Sequence, residues 1–445
     1  MNIYFVSLGC DKNLVDSEVM LGMLAKEGYT LTDDETQADI IVVNTCSFIH
    51  DAKQESVETL LEMARYKQSG SAKVLIAAGC LAQRYQQEIL DEIEEVDAVI
   101  GTTGFGDLCQ VIRDALNGQR QVDVHSLDEL VMPDVRRVLT TGGYSSYLKI
   151  ADGCDKHCSY CIIPKIRGDY RSYPMEQVLR DARHLAQAGV KELNIVAQET
   201  TMYGKDLYGH KTFHELLREL CRIDGIRWIR ILYCYPEEIT DELIQVMKEE
   251  RKICHYLDLP IQHASDDILK RMGRRTTRAD LEAIIGKLRK EIPDIALRTT
   301  LITGFPGETV QDHEELMDFV EKMRFDRLGV FTYSPEEGTA AALMPDQVDE
   351  DEKGRRRDCL MELQQGIAFD ISESCVGRIM DVLIEGKLPE EDIYIGRTYK
   401  DAPDVDGYIF VSAQEELMSG DIVPVQVTAS NEYDLIGEVL YESAQ

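Results

Sequence analysis

Short apolar runs alternate with amphipathic stretches through the first 120 positions. "IYFVSL", "DIIVVN", "KVLIAA" and "VDAVIG" are brief and almost wholly apolar, which predicts buried strands. "DSEVMLGMLAKEGY", "AKQESVETLLEMARYK" and "FGDLCQVIRDAL" repeat apolar positions at helical spacing. Alternating strands and helices predict a parallel sheet covered on both faces. Residues 121–140 carry Pro133 and few apolar runs, and read as a connector. Six further strands follow: "SYLKIA", "ELNIVAQ", "WIRILYC", "HYLDLPI", "IALRTTLITG" and "RLGVFTYS". Helical patterns such as "PMEQVLRDARHLAQAG" and "VQDHEELMDFVEKM" separate them. Six βα units fall short of the eight that close a TIM barrel, so a partial (βα)6 barrel is expected, with its active face at the strand C-termini. Beyond position 372, "VGRIMDVLIE", "IYIGRT", "GYIFVS", "DIVPVQVT" and "DLIGEVLY" predict a small OB-like β-barrel. The fold class is therefore α/β, with expected domains at 1–120, 140–371 and 372–445.

Composition adds bounds to this outline. With 445 residues, 44% hydrophobic and 29% charged, the chain can bury several cores. Its start, "MNIYFVSLGCDKN", has neither the basic nor the long apolar segment of a signal peptide. No run approaches the ~18 apolar residues of a membrane span, so a cytoplasmic protein without a membrane partner is expected. The net charge of −33 opposes whole-chain attraction to nucleic acid and suits a basic partner or plain solubility. Region 372–445 holds 16 acidic residues against 4 basic ones, the opposite of an RNA-binding barrel.

The 12 cysteines change the picture more. In a long chain without a secretion signal, thiols serve more often as metal ligands, nucleophiles or core residues than as disulfides. Cys10 in "SLGC", Cys46 in "NTC" and Cys80 in "AAGC" follow the first three expected strands. Parallel strands share one C-terminal edge, so these three can converge on a metal; each alone could equally be a small buried residue. A second set, Cys154, Cys158 and Cys161 in "CDKHCSYC", follows the first strand of the barrel. Structural zinc takes four ligands, and His157 lies too close in sequence for an easy tetrahedron. A disulfide would strand the third thiol. A 4Fe–4S cluster held by three cysteines leaves one iron open to chelate a small molecule. "GTTGFG" (101–106) lacks the Lys-Ser/Thr of a P-loop and reads as a turn.

The CxxxCxxC spacing after the first strand of a partial barrel resembles the radical S-adenosylmethionine (SAM) superfamily. The resemblance implies that the open iron holds the amino and carboxylate groups of S-adenosyl-L-methionine and that cleavage yields a 5′-deoxyadenosyl radical. It also implies roles for other residues. Gly304 and Gly307 in "LITGFPGET" would lie near the adenine and ribose, Gln198 and Glu199 in "VAQET" near the SAM amine, and Arg298 near the SAM carboxylate or the substrate.

Two cysteine triads in this domain order are similar to the methylthiotransferases, whose C-terminal barrel is a TRAM domain. By residue match, Cys10, Cys46 and Cys80 would hold an auxiliary 4Fe–4S cluster, and Cys154, Cys158 and Cys161 the SAM-binding one. One branch of that family modifies an adenosine of transfer RNA; another modifies an aspartate of small-subunit ribosomal protein S-twelve. "GCDKNLVDSE", "PIQHASDDILKRM" and "YSPEEGTAA" followed by "DQV" resemble the second branch. "VAQETTMYG" departs from the Ser-Gln-Asp-Thr version common there, which leaves the part played by Glu199 open. The resemblance implies a methylthio group placed on the aspartate β-carbon and an electron donor as further partner, and the charge does not favour direct RNA binding. The acidic C-terminal barrel agrees, since it would repel phosphates and attract a basic protein.

Other residues carry plainer expectations. Cys109 and Cys221 read as core, His263 as a hydrogen-bonded histidine, and Trp228 as packing. The basic runs "GRRTTR" and "KGRRRD" read as solvated faces.

Overall fold

A computed structural model describes residues 1–389 and 391–441; the end of the expected C-terminal domain, 442–445, lies outside the described residues. The first sheet has six parallel strands in the spatial order Thr30–Thr32, Asn2–Ser7, Ile40–Thr45, Val74–Gly79, Ala98–Ile100, Gln121–Asp123. The two central strands Ile40–Thr45 and Val74–Gly79 are buried at every position, which is why they read as unbroken apolar runs. Successive side chains feed opposite cores. Ile3, Val42, Ile76 and Leu108 pack on one face, and Ile41, Val43, Leu75 and Leu60 on the other. Thr30–Thr32 and Gln121–Asp123 carry no apolar pattern; they are three-residue edge strands recruited by pairing with neighbours.

All six strands expected in the second region form one parallel sheet, in chain order: Ser145–Lys149, Glu192–Val196, Trp228–Ile231, Ile253–Asp258, Ala296–Thr303 and Arg327–Thr332. Leu193, Ile195, Ile229, Ile231, Leu257, Leu297 and Leu301 point outward into the helical layer. The alternate positions Val196, Trp228, Cys254, Tyr256 and Ala296 line the inner face, where they meet Leu383 and Ala402 of the C-terminal region. That region is a closed five-stranded barrel, Ile379–Lys387, Ile393–Thr398, Ile409–Ser412, Ile422–Asn431 and Asp434–Val439. It plugs the inner face of the parallel sheet. Charge seals the junction too: Glu192 accepts from Arg397 Nη2 at 2.6 Å and pairs with Arg230 at 3.1 Å, all three with fully buried side chains.

A 24-residue helix, Glu350–Glu373, joins the two units. Its buried stripe is Lys353, Arg356, Leu360, Gln364, Ile367 and Ala368, at the spacing of one helical face. Arg356 lies in the run expected to be solvated, yet it is buried and pairs with Glu308 at 2.9 Å.

Candidate metal centre

The three N-terminal cysteines sit at one edge. Cys10 caps the N-terminus of helix Asp11–Lys26, Cys46 directly follows strand Ile40–Thr45, and Cys80 opens helix Cys80–Tyr85. Two glycines let these segments touch. Gly9 has φ +88°, and a Cβ there would lie 2.7 Å from Cys46 Cβ and 2.9 Å from its Sγ. Gly79 has φ +89°, and a Cβ would overlap Asn44 Oδ1 and lie 2.7 Å from Thr45 O. The repeated "GC" is thus a backbone requirement of close approach. Ser56 Oγ accepts from Cys46 N at 2.9 Å, and Asn13 Nδ2 donates to Leu8 O at 2.6 Å, fixing the loops that carry Cys46 and Cys10. Burial pushes the Cys80 thiol up to about 12; Arg167 opposes that rise, and the nearby Cys10 and Cys46 add to it by like charge.

Cys154, Cys158 and Cys161 form the second group. Cys154 N donates to Gly168 O at 3.1 Å, Cys161 N to Cys158 O at 3.0 Å, and Ser159 N to Met272 O at 2.9 Å. Burial raises Cys154 to about 12, opposed by the Lys156 backbone N–H. Tyr160 packs edge-on against Phe305, at 6.4 Å between centroids, which locks this loop to the turn after Ala296–Thr303. His157 has φ +49° and an exposed side chain that faces Asp169 at 4.0 Å.

Among the described residues, one group of three His, Cys, Asp or Glu ligand atoms lies within 4.8 Å of one another: Asp107, Asp123 and His125, outside both triads. Cys80 feels the charge of Cys10 and Cys46, and Cys161 that of Cys158 and Cys154, so each triad gathers soft thiol donors of the kind that suits an iron–sulfur group.

The two triads share a wall. Cys80 packs against Ile162, the residue after Cys161, and Ile166, one helical turn further on. Arg167 Nη2 lies 3.6 Å from Cys80 Sγ and 3.1 Å from Asn13 Oδ1, while Nη1 donates to Asp16 at 2.6 Å and Asp152 at 3.1 Å. Lys149 joins the same carboxylates. Across the mouth, Lys53 and Arg84 pair with Glu336 at 2.7 and 3.0 Å.

Beside the second triad lie unpaired polar atoms of both kinds. Gln198 donates to Asp152 Oδ1 at 3.0 Å, but its Oε1 is buried without a partner. Glu199 Oε1 accepts from Thr201, while its Oε2 has no hydrogen-bond partner but pairs with Lys156 Nζ at 3.7 Å. Burial lifts the Glu199 carboxyl to about 7, against the pull of Lys156. On the donor side, Arg274 gives Nη2 to Pro260 O at 2.9 Å and leaves Nε and Nη1 buried and unpaired. Its guanidinium stacks 4.3 Å from the Tyr235 ring, and Tyr235 OH is 4.0 Å from Cys158 Sγ. Arg274 belongs to the "GRRTTR" run expected to be solvated; it is buried because Tyr235 and Pro260, distant in sequence, cover it.

The remaining sequence candidates are placed differently. Gly304 and Gly307 have φ +69° and +82°, and added Cβ atoms would run into the side chains of Lys353 and Arg271. Arg298 pairs with Asp258 at 3.1 Å and Asp406 at 3.4 Å on the inner face. Asp258 also accepts from Tyr233 N, and Tyr233 OH donates to Asp11 beside Cys10. Lys12 lies 3.2 Å over the Tyr233 ring. Cys109 and Cys221 are buried in cores, and His263 Nδ1 accepts from Ser265 N at 3.0 Å.

This combination of parts has known relatives. Residues 2–101 match the family described as Uncharacterized protein family UPF0004, residues 148–320 the Radical SAM superfamily, and residues 376–440 the TRAM domain. Among solved structures, the radical SAM methyltransferase TsrM from Kitasatospora setae aligns with TM-score 0.56 at 14% identity, over 85% of this chain and 77% of that one. The cobalamin-dependent SAM radical enzyme OxsB aligns with TM-score 0.53 at 16% identity, over 82% and 56%. The class is therefore a radical SAM enzyme with a cysteine-bearing α/β domain in front and a TRAM barrel behind. Full-length relatives narrow it. The ribosomal protein uS12 methylthiotransferase RimO of Lachnoclostridium phytofermentans is 66% identical over 98% of this chain and 99% of its own. Proteins of the same name from Citrifermentans bemidjiense and Clostridioides difficile are 50% and 48% identical over 98% and 100% of this chain. The chain belongs to the RimO family of radical SAM methylthiotransferases.

Proposed function

We propose that this enzyme transfers a methylthio group to the β-carbon of an aspartate in ribosomal protein uS12, in the cytoplasm, with an external electron donor. One observation carries the reading: Cys80 of the N-terminal cysteine set packs against Ile162 and Ile166 and meets Arg167, all on the segment that follows Cys161. In this reading Cys10, Cys46 and Cys80 hold an auxiliary 4Fe–4S cluster, and Cys154, Cys158 and Cys161 hold the cluster that binds SAM. The domains correspond to 1–120, 140–371 and 372–445. When bound, these groups supply the radical, the sulfur and the methyl group that an unactivated C–H bond demands.

The chain's own residues bind and orient. SAM is a zwitterion at its methionyl end. The open acceptor Gln198 Oε1, with the Glu199 carboxyl next to it in sequence, suits its ammonium, and the open donors Arg274 Nε and Nη1 suit its carboxylate. Gly304 and Gly307 shape the turn beside the nucleoside, with Lys353 and Arg271 behind it. Arg298, linked through Asp258 to Tyr233 and the Cys10 loop, serves the substrate side rather than the SAM carboxylate. Leu383 and Ala402 close the inner face from below, which keeps the reacting radical away from solvent.

The acidic C-terminal barrel supports a basic protein acceptor over transfer RNA. The test is anaerobic reconstitution with iron and sulfide, then incubation with SAM, a reductant and either uS12 or transfer RNA. Mass spectrometry should find a methylthio group on one aspartate of uS12. Modification of the RNA instead, or no release of 5′-deoxyadenosine, overturns the reading.

A further inference from the structure

The wall between the triads is charged as well as apolar. Arg167 is buried, and each of its terminal nitrogens has a partner on the N-terminal domain: Asp16 for Nη1, Asn13 and Cys80 for Nη2. The quartet Arg167, Lys149, Asp16 and Asp152 is balanced, two charges of each sign, with Asp16 bonded to both cations. Balance explains why it can be buried; it does not explain why one N–H is aimed at a cysteine sulfur. Cys10 and Cys46 receive no such contact from an arginine among the described side-chain hydrogen bonds.

We propose that Arg167 is a positioning residue that donates a charge-assisted N–H···S hydrogen bond to Cys80 and thereby raises the reduction potential of the iron–sulfur group at the N-terminal triad. The inference rests on the assignment of Cys10, Cys46 and Cys80 as ligands of that group. A hydrogen bond from a cation draws charge from a ligating thiolate, and the reduced cluster, carrying one more electron, gains more from it than the oxidised one. The residue sits in the segment Ile163–Arg167, two residues beyond Cys161, so the loop of one triad sets the electronics of the other. Asp16 and Asn13 hold the guanidinium in place from helix Asp11–Lys26, which starts at Cys10. A purely structural bracket needs only Asp16 and Asp152.

The test uses the full chain with Cys154, Cys158 and Cys161 each changed to alanine, so that only the N-terminal triad can be loaded. Against this background, Arg167→Leu is combined with Asp16→Leu, which removes one positive and one negative charge together and leaves Lys149 paired with Asp152. Both proteins are reconstituted, and the reduced fraction is followed by EPR during a redox titration. The expected result is unchanged iron content and about a tenfold lower reduced-to-oxidised ratio at fixed potential, a midpoint about 59 mV more negative. An equal midpoint with equal iron content overturns the role of Arg167. Failure of the starting variant to bind four irons overturns the ligand assignment instead. Should the leucine pair fold without loading, Arg167→Met on the same background decides: resonance Raman should show stiffer Fe–S(Cys) stretching with loss of the deuterium shift that an N–H···S bond imparts, and an unaltered spectrum contradicts the proposal.

Discussion

Arg274 is the residue whose surroundings most need a ligand. A buried guanidinium with two unpaired donor atoms costs about 1–3 kcal/mol per unmet group, and here it faces the aromatic ring that touches Cys158. The anion that completes it is the SAM carboxylate in the proposed function. A charged hydrogen bond is worth about 1.5–3 kcal/mol, so Arg274→Met should weaken SAM binding roughly 10- to 100-fold. Equilibrium dialysis on the reconstituted enzyme checks this, and the iron content should not move. Glu199→Gln should act in the same direction but more weakly, since Glu199 Oε2 already faces Lys156 at 3.7 Å. Neither arginine burial was legible in the sequence. Arg274 and Arg356 stand in runs of basic residues that look solvated, and their covers, Tyr235 and Glu308, lie tens of positions away. A charge is buried by its partners, and partners distant along the chain leave no local pattern.

At the scale of elements, the strand–turn–helix joints decide the site. Gly79 ends strand Val74–Gly79 in a conformation that non-glycine residues avoid, with Thr45 O and Asn44 against it. Gly79→Ala should destabilise the N-terminal domain by about 1–3 kcal/mol through backbone strain. It should also halve the iron bound on reconstitution while leaving the second triad loaded. Urea unfolding and an iron assay separate the two effects. These joints are legible in the sequence because short apolar runs followed by helical patterns place each of Cys10, Cys46 and Cys80 just after a strand, and parallel strands end on one edge. The edge strands Thr30–Thr32 and Gln121–Asp123 were not readable, because three residues hydrogen-bonded at a rim need no apolar period. The linking helix Glu350–Glu373 escaped notice for a related reason: its buried stripe includes Lys353, Arg356 and Gln364 in place of apolar residues.

Across the whole molecule, the junction between the six-stranded sheet and the C-terminal barrel makes stability depend on acid. Burial alone would raise the Glu192 carboxyl, but Arg397 and Arg230 overcome it and hold it at about 2, below its usual 4.5. The native state therefore favours the ionised form. Its contribution is complete above pH 4.5 and is lost as pH falls toward 2, to the extent of about 3 kcal/mol. Thermal melts should show a Tm flat near neutrality and falling below about pH 4.5 as this group protonates. Glu192→Leu should abolish that part of the pH dependence and cost about 3–5 kcal/mol at pH 7, because it leaves two buried arginines short of a partner. The three-part architecture itself followed from the succession of patterns, whereas the plugging of the sheet by Leu383 and Ala402 did not, since apolar residues of a small barrel look alike whether they face its own core or a neighbour.

The account stands on two separate three-thiol sites, each holding its own four-iron group. Mössbauer spectroscopy with iron and sulfide counts, on the anaerobically reconstituted chain and on its two triple Cys→Ala variants, measures this directly. The expected result is two 4Fe–4S clusters in the unaltered protein and one in each variant, whichever triad is removed. A single cluster in the unaltered chain, or zinc in either triad, contradicts it.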